Sequence, residues 1–431
     1  MTVCIYGLWH LGSVTAACLA SRGIATIGLA ETEQAVAELN AGKAPLFEPG
    51  LDALLTQGLE SGTLRFTSDV AAAVGSADLL WVNFDTPVDD DDVADVGYVL
   101  DRVRGTFPHL KDGAVVLISS QVPVGSTALL ERDFAAVANG RQVSFAYSPE
   151  NLRLGAAIQV FTQSERIVIG IRSDAARRAI EPVLKPFCDT LLWMRVESAE
   201  MVKHALNAYL ATCVTFTNEI ATVCESVAAD MSEVEAALRL DPRIGKKAYV
   251  RAGSAFGGGT LARDVQFLKA IAKDGDVRVP VLAAVLESND HHKGWVVRHL
   301  RGQLGALEGK KVGVLGLAYK AGTDAIRRSV AVEVIEELIA GGAVVTVFDP
   351  KVATLPEPLN SAVTIAPSAD AVFAACDAVV LATEWPEFRE LDFASLVPSM
   401  GRRILIDQNA FAAKQLAGFA SLDYIVAGKV R

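Results

Sequence analysis

The chain has 431 residues, of which 51% are hydrophobic and 21% are charged. This composition excludes a disordered chain, and the length predicts two or three domains. With 40 lysines and arginines against 51 aspartates and glutamates, the net charge of −11 excludes the dense basic face of a nucleic-acid-binding protein. No apolar run reaches the ~20 residues of a membrane helix, and the first residues do not have the pattern of a secretory signal. We therefore expect a soluble, cytoplasmic protein that binds neither nucleic acid nor a membrane.

The first 30 residues predict a strand, a glycine-bounded turn at Gly7–Gly12, a helix and a second strand. Further short apolar runs follow, each bounded by turn residues and separated from the next by helix-like sequence. They are Leu79–Phe84, Ala114–Ser119, Val143–Tyr147 and Ile167–Ile171. This alternation is typical of a doubly wound parallel sheet with helices on both faces.

Residues 199–240 contain neither glycine nor proline, which predicts one or two long helices. At Lys310–Lys320 the opening pattern of strand and glycine turn returns, and Val330–Pro350 continues it with a helix and a strand. The sequence therefore predicts an α/β chain of two Rossmann-like, doubly wound domains joined by a long central helical connector. We place the three parts at residues 1–196, 197–305 and 306–431.

Nine segments, taken together and in order, resemble the UDP-glucose/GDP-mannose dehydrogenase family. After the N-terminal glycine turn, they are LNAGKAPLFEPGLDALL (Leu39–Leu55), DTP (Asp85–Pro87), QVPVGST (Gln121–Thr127), SPENLRLG (Ser148–Gly155), ESAEMVKHALNAYLA (Glu197–Ala211), DPRIG (Asp241–Gly245), FGGGTLARD (Phe256–Asp264), LAYKAGTDAIRRS (Leu317–Ser329) and TEWPEF (Thr383–Phe388). That family uses NAD and an essential cysteine to oxidise the C6 alcohol of a nucleotide sugar to a carboxylate. The resemblance implies an NAD-dependent oxidoreductase that acts on a nucleotide sugar for polysaccharide or glycoconjugate synthesis. It also implies a homodimer or higher homo-oligomer, with 197–305 as the dimerisation region and 306–431 as the nucleotide-sugar-binding domain.

The resemblance also assigns site residues. The catalytic candidates are Glu150, Lys203, Asn207 and Asp264, with Thr260 in the position of the family's nucleophilic cysteine. The cofactor-binding candidates are Gly7, Gly12, Glu31, Thr86, Ser120, Arg263 and Arg327. The substrate-binding candidates are Leu152, Arg243, Tyr249, Gly257 and Lys320. No metal site is predicted, and the aspartates at 89–92 are expected to form a solvated loop. Taken alone, Glu150 has a second interpretation as a turn or helix cap, and Asp264 as an N-cap.

Three departures from the family pattern shape the functional prediction. Trp9 replaces the middle glycine of the dinucleotide turn, Ala30 stands where the second strand normally ends in an acid, with Glu31 next, and Thr260 replaces the nucleophile. A threonine hydroxyl has no anionic fraction comparable with a thiolate, so we expect two-electron chemistry. This could be oxidation to an aldehyde or ketone, or transient oxidation in an epimerase. Direct oxidation of a hydrated aldehyde remains open, and a non-catalytic nucleotide-sugar binder is the alternative.

Overall fold

The computed structural model describes residues 1–89, 94–150 and 152–429. The chain divides into two compact units, Met1–Ala205 and Leu206–Arg431. Each unit is an α/β fold built on a largely parallel sheet, so the predicted fold class is confirmed. Asp90, Asp91 and Asp92 of the predicted acidic loop lie outside the described residues.

The first unit contains an eight-stranded sheet in the order β3-β2-β1-β4-β5-β6-β7-β8. Its strands are β1 (Thr2–Tyr6), β2 (Ala25–Leu29), β3 (Leu64–Thr67), β4 (Leu79–Val82), β5 (Val115–Ile118), β6 (Ser144–Tyr147), β7 (Ile167–Gly170) and β8 (Leu191–Met194). Alternate residues of β1 enter two different apolar clusters, Val3 and Ile5 on one face and Cys4 and Tyr6 on the other. The near-continuous apolar runs of the sequence are explained by this burial on both faces.

One strand pair departs from the expected parallel arrangement. β7 pairs with β6 in the antiparallel sense, through Tyr147 and Gly170. An antiparallel neighbour starts at the sheet edge where its predecessor ends, so the intervening segment does not cross the sheet. The described residues between β6 and β7, 148–150 and 152–166, consequently stay at the carboxyl edge of the first sheet.

The helices of the first unit cover both faces of this sheet. They are α1 (His10–Ser21), α2 (Glu33–Asn40), α3 (Leu51–Glu60), α4 (Val70–Ser76), α5 (Val96–Thr106), a 3-10 turn at Phe107–His109, α6 (Ser126–Ala135), α7 (Ala157–Thr162) and α8 (Asp174–Leu184). α1 begins three residues earlier than the predicted helix, at His10, because the glycine turn leads into it directly.

The long glycine-free stretch forms two helices. α9 (Val196–Val227) has 32 residues and runs from the first unit into the second, and α10 (Met231–Leu240) follows it. The next helices are α11 (Thr260–Asp274), α12 (Pro280–Lys293) and α13 (Trp295–Leu304). No helix among the described residues is long and apolar enough to cross a membrane.

The second unit carries a six-stranded, all-parallel sheet in the order β11-β10-β9-β12-β13-β14. Its strands are β9 (Lys311–Leu315), β10 (Val344–Phe348), β11 (Thr364–Ile365), β12 (Ala378–Leu381), β13 (Ile404–Ile406) and β14 (Asp423–Ile425). Its helices are α14 (Val330–Ala340), α15 (Leu359–Ala362), α16 (Ala369–Phe373), a 3-10 turn at Pro386–Arg389, α17 (Phe393–Ser399) and α18 (Ala413–Leu416). The predicted second nucleotide fold is therefore present.

Candidate active site

The glycine turn between β1 and α1 keeps the geometry of a dinucleotide site despite Trp9. Gly7 has φ of 98°, and a Cβ there would lie 2.7 Å from the Phe84 nitrogen. A Cβ on Gly12 would lie 2.0 Å from the Gly7 oxygen, so both glycines are sterically required. Trp9 has φ of −80° and ψ of −152°, an extended backbone that any residue adopts, and its side chain is 53% exposed. The substitution therefore places an indole at the turn without straining it.

A cavity of about 470 Å³ opens beside this turn and the end of β2. Its lining includes Gly7, Trp9, Ala30 and Glu31. In dinucleotide folds the pyrophosphate lies at the N-terminus of the helix after the turn, and an acid after the second strand binds the ribose. The turn, the cavity and the adjacent carboxylate together fit a bound dinucleotide.

Two further cofactor candidates follow the central strands β4 and β5. The buried Thr86 hydroxyl donates to the backbone oxygen of Gln121 at 2.6 Å, which ties the ends of these two strands together. Ser120 is 2% exposed, and its Oγ has no hydrogen-bond partner within the described ranges. Because buried polar atoms are normally satisfied, this hydroxyl is a candidate ligand contact at the sheet edge.

Glu150 and Lys203 lie together in the first unit. The Lys203 Nζ donates to the backbone oxygen of Glu150 at 2.8 Å, and the half-buried Glu150 carboxylate accepts from the Leu152 nitrogen. Burial raises the pKa of Glu150, although the Leu152 hydrogen bond and the Lys203 charge act in the opposite direction. Glu150 thus caps its own turn, as one interpretation of the sequence has it, and is also a carboxylate suited to proton transfer.

The first turns of α9 hold a second motif in place. Glu200 is fully buried, and its carboxylate accepts from the Gly125 nitrogen at 2.7 Å and from the nitrogen and hydroxyl of Thr127 at 2.9 and 2.7 Å. One turn further on, His204 Nε2 lies 3.1 Å from the Val122 oxygen. The QVPVGST segment is thereby fixed to the helix that carries Lys203. Sequence reasoning noted Glu200 as a motif residue but did not find this role.

A buried carboxylate connects the glycine turn to the segment after Glu150. Glu48 is 4% exposed, and it accepts from the Gly155 and Ala157 nitrogens, both at 2.8 Å. His10 Nε2 lies 2.8 Å from the same carboxylate. Glu48 belongs to the LFEPG motif, whose purpose the sequence alone did not show. In the structure, it fixes the start of α7 against the start of α1.

Glu48→Ala is expected to destabilise the first unit by about 3 kcal/mol or more, because it leaves three donors without their acceptor, two of which, the Ala157 nitrogen and the His10 ring, are buried. Thermal or urea unfolding of the purified protein measures this loss. Glu60→Ala, which removes an exposed glutamate from the end of α3, is the matched control and is expected to change stability by less than about 0.5 kcal/mol. Equal stability of the two variants would contradict the role given to Glu48.

In the second unit, Asn207 and Asp264 form a buried pair. The Asn207 amide donates to an Asp264 oxygen, and Asp264 has no exposed surface. α11 begins at Thr260 after Gly259, so Asp264 lies inside the helix and the N-cap interpretation is wrong. Thr260 is the first residue of α11 and is exposed, and its backbone nitrogen donates to the Gly258 oxygen at 3.0 Å. The residue at the position expected for a nucleophile is thus exposed to solvent and carries a hydroxyl group.

The glycine segment before α11 packs closely against the segment after β9. A Cβ on Gly257 would lie 2.7 Å from the Arg328 oxygen, and one on Gly258 would lie 2.7 Å from the Tyr319 ring. The exposed side chains of Lys320 and Arg327 are next in sequence to these two contacts. Two basic candidates are therefore placed beside the glycine segment, where a pyrophosphate would meet positive charge.

The other candidates are more dispersed. Arg263 lies in the first turn of α11, and Leu152 follows Glu150 in the first unit. Arg243 is largely exposed and pairs at 2.7 Å with Asp241, and Tyr249 is 57% exposed. Among the described residues, neither Arg243 nor Tyr249 hydrogen-bonds to another predicted site residue. Their assignment to substrate binding stays a prediction.

Three models of one family match the chain in sequence order. The NAD binding domain of the UDP-glucose/GDP-mannose dehydrogenase family matches residues 1–188, its central domain residues 197–291 and its UDP binding domain residues 313–413. Together these matches cover most of the chain. The chain belongs to the UDP-glucose/GDP-mannose dehydrogenase family.

Individual members of this family are similar over nearly the whole length. The UDP-glucose 6-dehydrogenase of Rhizobium meliloti (strain 1021) is 35% identical over 425 residues, which cover 97% of each chain. The UDP-glucose 6-dehydrogenase TuaD of Bacillus subtilis (strain 168) is 32% identical over 96% of this chain and 90% of its own. The structure of a UDP-glucose dehydrogenase from Pyrobaculum islandicum is 31% identical and superposes with a TM-score of 0.85, covering 99% of this chain and 96% of that one. The predicted family, oxidoreductase class and NAD cofactor are confirmed.

None of the six cysteines of this chain lies in the FGGGTLARD segment. All six are free thiols, and five of them are buried. Burial raises the pKa of Cys4 and of Cys18 to about 12, and that of Cys376 to about 11. Burial therefore disfavours the thiolate, which is the reactive form, in these three side chains at neutral pH.

Proposed function

We propose that this chain is an NAD-dependent oxidoreductase that removes two electrons from one hydroxyl-bearing carbon of a nucleotide sugar and releases the carbonyl product. The observation that carries the proposal is the exposed Thr260 at the first position of α11, in the segment where the family has its cysteine. The retained Glu150, Lys203, Asn207 and Asp264 support an enzyme over a non-catalytic binder, because binding alone does not need an acid–base set.

The chemistry requires one hydride acceptor and one proton acceptor. Bound NAD supplies the hydride acceptor, and Gly7, Gly12 and Glu31 would hold it. The alcohol oxygen gives up its proton while the carbon gives up hydrogen with both electrons of the C–H bond. Each sugar therefore yields one carbonyl group, one NADH and one proton.

Residues of this chain account for the proton and for the charge on oxygen. The Glu150 carboxylate, with its pKa raised by burial, can take up a proton at neutral pH. The Lys203 ammonium, held at the Glu150 oxygen, can stabilise negative charge on the reacting oxygen. Asp264 is fixed in the second unit by Asn207, where it can orient a water or a sugar hydroxyl.

Oxidation ends at the carbonyl stage because covalent capture needs a strong nucleophile. A threonine hydroxyl is protonated at neutral pH and attacks a carbonyl only when a dedicated base activates it. Without a thioester, a second hydride transfer has no activated intermediate from which to proceed. The family's acid-forming reaction is therefore not the one proposed for this chain.

Thr260→Val tests this interpretation. NADH formation is expected to stay within about threefold of the unchanged protein, because the hydroxyl does not act as a nucleophile. Hydroxylamine added during turnover should trap the carbonyl product as an oxime, which mass spectrometry detects. Thr260→Ser, which keeps the hydroxyl, is the matched control. A loss of about a hundredfold or more in Thr260→Val but not in Thr260→Ser would contradict the proposal.

The substrate is proposed to be a nucleoside-diphosphate sugar bound in part by the second unit. Residues 313–413 match the UDP binding domain of the family, and Lys320 and Arg327 lie beside the glycine segment. UDP-glucose is the first substrate to test, because the R. meliloti and B. subtilis relatives are named for it.

We also propose the domain division predicted from the sequence, with boundaries at residues 1–196, 197–305 and 306–431, as the basis for deletion and domain experiments. The six free thiols support a reducing, cytoplasmic location.

We also propose a homodimer formed along α9. Within the second unit, one face of this helix leaves large apolar side chains exposed, namely Tyr209, Phe216, Val223 and Val227. Their spacing of seven, seven and four residues is that of a helical contact stripe. An exposed apolar stripe of this kind marks a protein interface.

Phe216→Glu is expected to convert the dimer to a monomer at micromolar concentration, because a charge is buried at the centre of the stripe. Sedimentation or light scattering measures the mass. Val137→Glu, at an exposed apolar residue 48% accessible and outside α9, is the matched control and should leave the mass unchanged. A dimer that survives Phe216→Glu would exclude this face as the interface.

A further inference from the structure

A charged and aromatic cluster that the sequence did not indicate lies beside the proposed ribose position. The Arg102 Nε donates to Glu31 Oε1 at 2.5 Å, and the Tyr98 hydroxyl lies 3.4 Å from Glu31 Oε2. The Arg102 guanidinium also stacks over the Tyr98 ring, with its carbon 3.4 Å from the ring centroid. Glu31 and Tyr98 both line the cavity beside the glycine turn.

The location of this cluster matters because dinucleotide folds recognise the adenosine ribose with side chains at this point. An acid after the second strand binds the 2′-hydroxyl of NAD, whereas a nearby arginine accommodates the 2′-phosphate of NADP. In this chain the residue that directly follows β2 is Ala30, which carries no charge. Glu31 supplies an acid and Arg102 an arginine near this point, and the two side chains form an ion pair with each other.

We propose that Arg102 is a latent ligand for the 2′-phosphate of NADP, and that its ion pair with Glu31 keeps it from binding that phosphate. This inference rests on the dinucleotide site of the proposed function. The Glu31 carboxylate repels a phosphate and occupies the guanidinium that would otherwise bind it. Arg102 is therefore a latent phosphate ligand.

Contacts other than the ion pair with Glu31 hold Arg102 in place. Its NH1 donates to the Tyr98 backbone oxygen at 3.3 Å, and the ring stacking holds the guanidinium plane. The ring of Phe84, 5.5 Å from the guanidinium carbon, adds a second aromatic contact. Removing the Glu31 charge should leave a pre-positioned cation next to Tyr98 on the cavity wall, which carries Lys43 and also the acidic residues Glu38 and Asp85.

The test is titration calorimetry of NAD and of NADP with the full chain, which needs no turnover. The unchanged protein is expected to bind NAD more tightly than NADP. In Glu31→Gln, NADP affinity should rise by about tenfold or more relative to NAD, because an amide keeps a hydrogen bond to the ribose but not the repulsion. In the double variant Glu31→Gln with Arg102→Gln, that gain should disappear, since the released cation is absent.

The possible outcomes distinguish a failure of this inference from a failure of the proposed function. An unchanged NADP-to-NAD ratio in Glu31→Gln, with NAD still bound, would overturn the role of the pair and leave the oxidoreductase proposal standing. A gain that persists in the double variant would show that Arg102 is not the phosphate ligand. Failure of the unchanged protein to bind either dinucleotide would overturn both proposals.

Discussion

Glu150→Gln is expected to lower kcat by about a hundredfold or more while leaving nucleotide-sugar binding nearly unchanged. The amide keeps the size and the turn-capping acceptor of the side chain, because its oxygen can still accept from the Leu152 nitrogen. It cannot take up a proton, so only the chemical step should suffer. Initial rates of NADH formation and calorimetry with the nucleotide sugar separate the two effects.

The pH dependence of the unchanged protein checks the same assignment. Burial raises the pKa of Glu150, so the active, ionised form is lost at a higher pH than for an exposed glutamate. On acidification, activity should therefore fall at a higher pH than the one at which an exposed glutamate takes up its proton. Glu165→Gln, an exposed glutamate in the same segment between β6 and β7, is the matched control and should preserve kcat. Full activity in Glu150→Gln would remove Glu150 from the mechanism.

Gly12→Ala is expected to abolish NAD binding, with a loss of about a hundredfold or more in affinity. The added Cβ would lie 2.0 Å from the Gly7 oxygen, a separation at which the turn must open. Opening it displaces the backbone at the start of α1, where the pyrophosphate of a dinucleotide is bound. The same strain should destabilise the first unit by about 1–3 kcal/mol. Calorimetry with NAD and thermal unfolding measure the two effects.

Gly105→Ala is the matched control for this substitution. Gly105 lies in α5, is exposed, and has no neighbour within 4 Å of a built Cβ. Alanine there should leave NAD affinity unchanged and stabilise the helix by about 0.5–1 kcal/mol. Wild-type NAD affinity in Gly12→Ala would show that the glycine turn is not the cofactor site.

Much of the fold could be predicted from the sequence because its signals are local. Strands buried on both faces give short apolar runs, and the repeated strand and glycine turn at Lys310–Lys320 indicates the second nucleotide fold. The requirement for Gly12 is equally local, since its Cβ would meet the Gly7 oxygen of the same turn, whereas the close approach of Gly7 to Phe84 depends on tertiary packing. The antiparallel β7 was not predictable, because strand direction depends on where the chain travels between strands.

The contacts that organise the site could not be predicted, because each joins residues far apart in sequence. Glu48 lies 107 residues from Gly155, and Arg102 lies 71 residues from Glu31. Neither pair has a spacing or composition that distinguishes it from a surface charge. Motif resemblance located Glu48 and Glu200 without explaining them, and it gave no indication of Arg102. In physical terms, motifs mark positions, whereas the partners of a buried charge are set by tertiary packing.

The three departures from the family pattern have different consequences in the structure. Trp9 keeps an ordinary backbone conformation, and Ala30 is accompanied by the adjacent Glu31, so the dinucleotide site retains its framework. Thr260 has no such compensation, because none of the cysteines lies in its segment. The proposed reaction therefore differs from the family's acid-forming reaction because of this single position.

The ratio of NADH formed to nucleotide sugar consumed distinguishes the proposed two-electron oxidation from the four-electron reaction of the family. With UDP-glucose limiting and NAD in excess, the reaction is run to completion while NADH is followed by absorbance and the sugar by mass spectrometry. We expect one NADH for each sugar, with a product lighter by two hydrogens. Two NADH for each sugar, with a carboxylate product, would contradict the proposed reaction.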